Sequence, residues 1–165
     1  AFHDLQTDLK REYQKNFRFI FTISPVRHLK DGFRENQHSK AVLQLAFAAI
    51  ESKYENVSYF PAYELLQDDL RDYRFYANDL IHPNEQAIEY IWNKFVESHL
   101  DANCQSLLKK IEQLNQSLNH RAFNPESEAH QTFLKKLKRQ LQELQENHGI
   151  DYETELKELQ KALIS

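Results

Sequence analysis

Apolar positions follow one rhythm up to about residue 100 and another beyond it. Leu5, Leu9 and Tyr13 are spaced by four, which predicts an amphipathic helix from about Asp4 to Asn16. Phe17-Arg18-Phe19-Ile20-Phe21-Thr22-Ile23 is aromatic, β-branched and apolar at almost every position. That is the pattern of a strand buried on both faces in a parallel sheet. Ser24-Pro25 ends it, and a polar loop with Gly32 is expected from Val26 to Gln37. A helix should follow from His38 to Lys53, with Val42, Leu45, Ala46, Ala49 and Ile50 on one face. Val57-Ser58-Tyr59-Phe60 reads as a second strand closed by Pro61. Strand, helix and strand in this order form a βαβ unit, whose crossover makes the strands parallel. Ala62 to Arg71 is expected to be helical, and Asp72 to Pro83 irregular. A further helix should start at Asn84, a favourable N-cap, and carry Ile88, Ile91, Trp92, Phe95 and Val96.

From about Asp101 aromatics thin out, and Gln, Lys, Glu and Leu dominate. Leu107, Ile111, Leu114 and Leu118 alternate spacings of four and three, as do Leu134, Leu137, Leu141 and Leu144. A turn is expected at Asn119 to Pro125, a break at Gly149, and a last short helix through Leu156, Leu159 and Leu163. These stripes resemble coiled-coil seams joined as an antiparallel helical hairpin. The division is therefore residues 1–100, part of an α/β domain, and residues 101–165, a helical tail. Two strands alone do not make a stable parallel sheet. The missing strands are expected from an upstream segment or from another chain.

Composition narrows the class. The net charge of −4, from 21 basic and 25 acidic side chains, gives no general attraction to polyanions, so nucleic acid is not an expected partner. No apolar run approaches the roughly 20 residues that span a bilayer, so no membrane partner is expected either. Cys104 is the only cysteine, which rules out an intrachain disulfide and suggests a reducing, cytoplasmic setting. The chain begins at Ala1 and contains no methionine, so it reads as a piece of a longer protein.

The chemistry concentrates in Asp79-Leu80-Ile81-His82-Pro83, just before a helix. A serine nucleophile needs a general base, and histidine suits that work near neutral pH. The base in turn needs a carboxylate that fixes its tautomer and stabilises the imidazolium. An aspartate three residues before a histidine in a tight turn can set its carboxylate on Nδ1 and leave Nε2 for the serine. The competing account is a surface turn in which either residue caps a helix. No H-E-x-x-H or Cys/His ligand spacing appears, so no metal and no cofactor are expected.

Several segments carry a family resemblance. Phe21-Thr22-Ile23-Ser24-Pro25-Val26-Arg27-His28, with Asp31-Gly32-Phe33, Glu35-Asn36 and Ser39-Lys40, resembles the GSCFA family. So do Tyr59-Phe60-Pro61-Ala62-Tyr63-Glu64 and Asp72-Tyr73-Arg74-Phe75-Tyr76-Ala77 leading into Asp79 and His82-Pro83. Asn119-His120-Arg121 and Phe123-Asn124-Pro125-Glu126 extend the likeness into the tail. The family is similar to SGNH/GDSL esterases, which implies a bacterial protein and a three-layer α/β/α fold. Its Gly-Ser-Cys-Phe-Ala motif, whose serine is the expected nucleophile, is absent here. Asp79 and His82 match the SGNH aspartate and histidine.

The segment after the first strand follows a strand's carboxyl end, where doubly wound sheets gather their sites. Arg27 and His28 are candidates for binding an anionic or polyol group, Asn36 for an oxyanion donor, and Ser24 for the same site. Anchoring of the loop is the equal alternative for Arg27, His28 and Asn36. Ser24 and Ser39 are in-chain rivals for the nucleophile, though neither sits in a nucleophile-elbow setting. Two functions follow. The first is an esterase acting on small acyl groups of a glycan or similar polyol. The second is a non-catalytic interaction module whose leucine stripes mediate homo-oligomerisation.

Overall fold

A computed structural model describes residues 2–119 and 126–163. It divides into two compact units, one ending at His99 and the other starting at Leu100. The first unit is mixed α/β. Helix α1 (Phe2–Tyr13) leads to strand β1 (Phe19–Thr22), helix α2 (Phe33–Glu51) and strand β2 (Val57–Phe60). The strands pair in parallel, with Phe21 opposite Tyr59 and Thr22 opposite Phe60. The βαβ reading thus holds.

Alternation along the strands sorts aromatic side chains onto different neighbours. Phe21 stacks on Phe47 of α2 at 4.8 Å between ring centroids, and Tyr59 lies 6.0 Å from the same ring. Phe2 of α1 meets Phe19 and Phe21 edge-on. Phe60 instead packs edge-on against Phe95 of helix α4 (Glu85–His99), at 5.2 Å. The expected burial of β1 on both faces is not met among the described residues. Ile20 keeps 44% of its surface open, because no described element covers it.

Two boundaries differ from the sequence expectation. Helix α2 begins at Phe33 rather than His38. Gly32 precedes it with φ of 96°, a conformation open to glycine and strained for other residues. The loop after β1 is therefore shorter than expected, and Asn36 sits in the first turn of α2. The helix expected over Ala62 to Arg71 is a short turn α3 (Ala62–Glu64) that widens into a π-helical segment, Leu65–Leu70. Arg71 closes that segment in the left-handed region with φ of 55°. The irregular stretch holds a 3-10 turn, Tyr73–Phe75, and a single antiparallel bridge between Tyr76 and Pro83. Leu66, Phe75, Tyr76 and Ala87 form a buried cluster beneath it. Asn84 caps α4, its Oδ1 accepting from the Ala87 N–H at 3.0 Å.

The second unit contains helices α5 (Ala102–Leu118), α6 (Glu128–His148) and α7 (Glu153–Ala162). Asp101 and Ser127 cap α5 and α6 by accepting from backbone N–H groups. Gly149, with φ of 66°, ends α6 in the left-handed conformation common there. Leu114, Leu134, Leu137, Leu141 and Leu144 close around Tyr152 and Leu159. The stripes that resembled coiled-coil seams are thus buried inside a three-helix unit, in which α5 packs on α6 and α7 packs on α6. Of the expected turn at Asn119 to Pro125, residues 120–125 lie outside the described residues, as does most of the family-like segment around them.

Candidate active site

The turn that carries Asp79 and His82 is built from the backbone outward. The Ala77 N–H donates to the His82 carbonyl at 2.8 Å, and the Asn84 N–H donates to the Phe75 carbonyl at 2.9 Å. These bonds close a small loop whose tip is Asn78 to Ile81. The Leu80 N–H donates back to the Ala77 carbonyl, and Leu80 adopts φ of 56°. A leucine in the left-handed region costs on the order of 1 kcal/mol or more, so surrounding contacts must hold it there.

Within this loop the Asp79 carboxylate has three donors. Oδ1 accepts from the Ile81 N–H at 2.9 Å and from the His82 N–H at 3.0 Å. Oδ2 lies 2.6 Å from His82 Nδ1. The His82 contact, then the two backbone donors, hold the Asp79 carboxyl down at about 2 against an ordinary 3.8. With Nδ1 engaged, the exposed imidazole presents Nε2 outward. The sequence pair therefore meets in space, in the arrangement a general base requires.

Two other histidine–carboxylate pairs show why this one is distinct. His28 Nε2 lies 3.4 Å from Asp31, and His38 Nδ1 lies 3.5 Å from Glu35. Both are longer, and neither carboxylate has the pair of backbone donors that fixes Asp79. A serine hydroxyl does meet a histidine ring at Ser98 and His99, 2.7 Å apart. Ser98 is bonded back to the Lys94 carbonyl at 2.6 Å, on the same helix turn.

The segment after β1 turns toward this loop. The Arg27 guanidinium donates from Nη1 to the Leu80 carbonyl at 2.9 Å, and the Arg27 N–H donates to the Ile81 carbonyl at 3.2 Å. The same guanidinium sits 4.0 Å from the centre of the Tyr76 ring and 5.3 Å from that of Tyr73. Gln67, in the π-helical segment, donates to the Tyr76 hydroxyl at 2.7 Å. Asn36 is buried, and its Oδ1 accepts from the His28 N–H at 2.8 Å. Ser24 Oγ accepts from the Val26 N–H, a local turn bond. Of the four candidates beyond the Asp79–His82 pair, Arg27 and Asn36 thus anchor loops, while the His28 ring and Ser24 stay exposed.

Lys40 was not a sequence candidate, yet it is the buried cation beneath this segment. Its Nζ donates to the Ser24 carbonyl at 2.6 Å and to the Val26 carbonyl at 3.1 Å. Burial lowers its pKa from the ordinary lysine value. The available signal was its spacing of four from Asn36, which puts both on one face of α2. Among the described residues no three His, Cys, Asp or Glu side chains are grouped to hold a metal ion. Among them, too, no helix is long and apolar enough to cross a membrane.

Comparison with known proteins bears on both units. A model described as the GSCFA family matches residues 2–95. A second, described as the C-terminal domain of GSCFA domain proteins, matches residues 104–165. No curated protein and no solved structure matches the chain. The two matches follow one another in order along both compact units, and the chain belongs to the GSCFA family.

Proposed function

We propose that this chain carries the acid–base half of a serine esterase of the SGNH type. His82 is the general base and Asp79 its orienting carboxylate. The nucleophilic serine comes from outside the chain, because no Gly-Ser-Cys-Phe-Ala stretch or nucleophile elbow occurs within it. The 2.6 Å contact between Asp79 Oδ2 and His82 Nδ1 carries the reading. It fixes the tautomer in which Nε2 accepts the serine proton. The serine oxygen then attacks an ester carbonyl and the alcohol departs with the proton from His82. Water next releases the acid from the acyl-enzyme, with His82 again taking a proton. Ester groups on a glycan or similar polyol are the substrate class, and the setting is cytoplasmic.

The same reading makes the α/β unit one portion of a three-layer α/β/α domain. Helices α2 and α4 already pack against different strand side chains. An apolar groove of about 440 Å³, lined by Ile20, Phe60, Ile88, Trp92 and Phe95 among others, remains open. Ile88 and Trp92 are 55% and 43% exposed, more apolar surface than a finished α/β core leaves to water. Further strands and a helix of the same domain would cover it. Self-association through the tail would have to use faces other than its closed leucine core.

The test is labelling of the intact protein with a serine-directed fluorophosphonate. Wild type should label and His82→Ala should not. Equal labelling of the two would remove His82 from the chemistry.

A further inference from the structure

The Asp79–His82 loop is exposed, short and strained at Leu80, yet its function as read above requires a fixed geometry. Among the described residues, hydrogen bonds reach its tip from one side chain and one backbone group, both of Arg27. Nη1 holds the Leu80 carbonyl and the backbone N–H holds the Ile81 carbonyl. Those two carbonyls follow immediately on Asp79, and the Ile81 and His82 N–H groups are the donors to its carboxylate. Displacing the Leu80–Ile81 peptides therefore displaces the carboxylate.

Arg27 is itself held from three directions. The Tyr76 and Tyr73 rings offer their electron-rich faces to the guanidinium, 4.0 and 5.3 Å from the ring centres. Tyr76 is buried and fixed by Gln67 at its hydroxyl. The backbone on either side of Arg27 is tied to α2, by Lys40 at Ser24 and Val26 and by Asn36 at His28. A five-residue segment clamped by α2 in this way presents a guanidinium in a defined place.

We propose that Arg27 is a positioning residue: it pins the Leu80–Ile81 backbone and so keeps the Asp79 carboxylate on the His82 ring, rather than binding substrate. The catalytic part of this proposal rests on the triad reading of Asp79 and His82. The mechanical part does not.

The experiment therefore uses two readouts on the intact protein. The first is the titration of Asp79 followed by carboxyl carbon-13 NMR. Arg27→Ala should move its midpoint up from about 2 toward the ordinary 3.8, because the carboxylate drifts first from the His82 ring and then from the two backbone donors. Arg27→Lys keeps the charge but lacks the planar fork, and should give an intermediate shift. Leu80→Gly in the Arg27→Ala background removes the left-handed strain and should restore part of the depression. The second readout is the labelling rate with an uncharged fluorophosphonate, which lacks the anionic or polyol group that a substrate-binding Arg27 would recognise. Arg27→Ala should label on the order of 10² more slowly, the scale of an ångström misplacement of a catalytic group.

An Asp79 midpoint that stays at about 2 in Arg27→Ala overturns the proposal. So does unchanged labelling by the uncharged probe in a wild type that labels. A wild type that never labels would instead sink the esterase reading and leave the titration to decide the clamp.

Discussion

Replacing Asp79 by asparagine separates what its carboxylate does for the fold from what it does for His82. In the structure Oδ1 accepts from the Ile81 and His82 N–H groups, while Oδ2 faces His82 Nδ1 at 2.6 Å. Asparagine retains one oxygen, so the two backbone bonds and the shape of the turn should survive. Its amide nitrogen replaces Oδ2 and cannot accept from an N–H. The imidazole must then turn its lone pair on Nδ1 toward the amide and move its proton to Nε2. In that tautomer His82 cannot take a proton from a serine. Where the site is closed, a wrong tautomer of this kind costs on the order of 10⁴ in rate. Where it stays open, water competes for Nδ1 and the loss falls toward about 10², the lower range for general-base catalysis. Side chains of Asp79 and His82 are 45% and 60% exposed in this chain, so the value measured on the intact protein also reports how far the site is covered. The assay is fluorophosphonate labelling of the intact protein, paired with nitrogen-15 NMR of the His82 ring at alkaline pH. Wild type should carry its proton on Nδ1 and Asp79→Asn on Nε2. Asp79→Ala should lose as much rate and, in addition, shift the Ile81 and His82 amide resonances that Asp79→Asn leaves in place. A loss below tenfold, or an unchanged tautomer, would refute the reasoning.

Two further outcomes follow from the same geometry. The Asp79 carboxyl should titrate at about 2 by carbon-13 NMR. Because its folded value lies below the ordinary 3.8, its contribution to the turn is complete above that value and is lost as pH falls through about 2. A midpoint at or above 3.8 would contradict the three-donor geometry. In the tail, Leu141 is fully buried, so Leu141→Ala should cost about 3–5 kcal/mol, a large fraction of what a unit of this size holds. Hydrogen exchange on the intact protein should show the loss in α5–α7 and not in β1–β2. A change below about 1 kcal/mol would mean that the leucine core is not closed.

Short-range rules recovered what short-range physics decides. The cap at Asn84 and the leucine helices are visible as spacing, because each depends on residues within a turn or two of one another; the strand pair, 38 positions apart, followed instead from the strand–helix–strand order. Asp79 and His82 were legible for the same reason, being three residues apart in one turn. The expected start of α2 lies five residues late because Arg34 to Gln37, which follow Phe33 in its first turns, are polar and read as loop; Gly32 is the better marker. The π-helical widening at Leu65–Leu70 left no period to read, since a single wide turn does not repeat. Closure of the tail depended on α7 folding back to supply Leu159, a tertiary event that a heptad count on α5 and α6 does not contain.

The roles of Arg27 and Lys40 were hidden for a different reason, which also explains why the site takes the form it does. Arg27 meets Leu80 across 53 positions of sequence, and Lys40 meets Ser24 across 16. Neither pairing has a local signature, because a donor to a backbone carbonyl asks nothing of its partner's side chain. A turn placed outside regular structure, as the Asp79–His82 turn is, has few bonds of its own to hold it. Its stiffness must be borrowed from a regular element, and here α2 is that element. Lys40 and Asn36, one helical turn apart on α2, fix the segment from Ser24 to His28, and Arg27 passes that constraint to Leu80 and Ile81. Lysine serves this end better than a shorter donor, because its stem spans the buried distance while its ammonium satisfies two carbonyls at once. The buried charge is costly, as the lowered Lys40 pKa records, and that cost is tolerable only where the two carbonyls would otherwise be left without donors. Arg27 and Lys40 are thus engaged with backbone carbonyls, and on the esterase reading substrate recognition would be sought on the open side of His82.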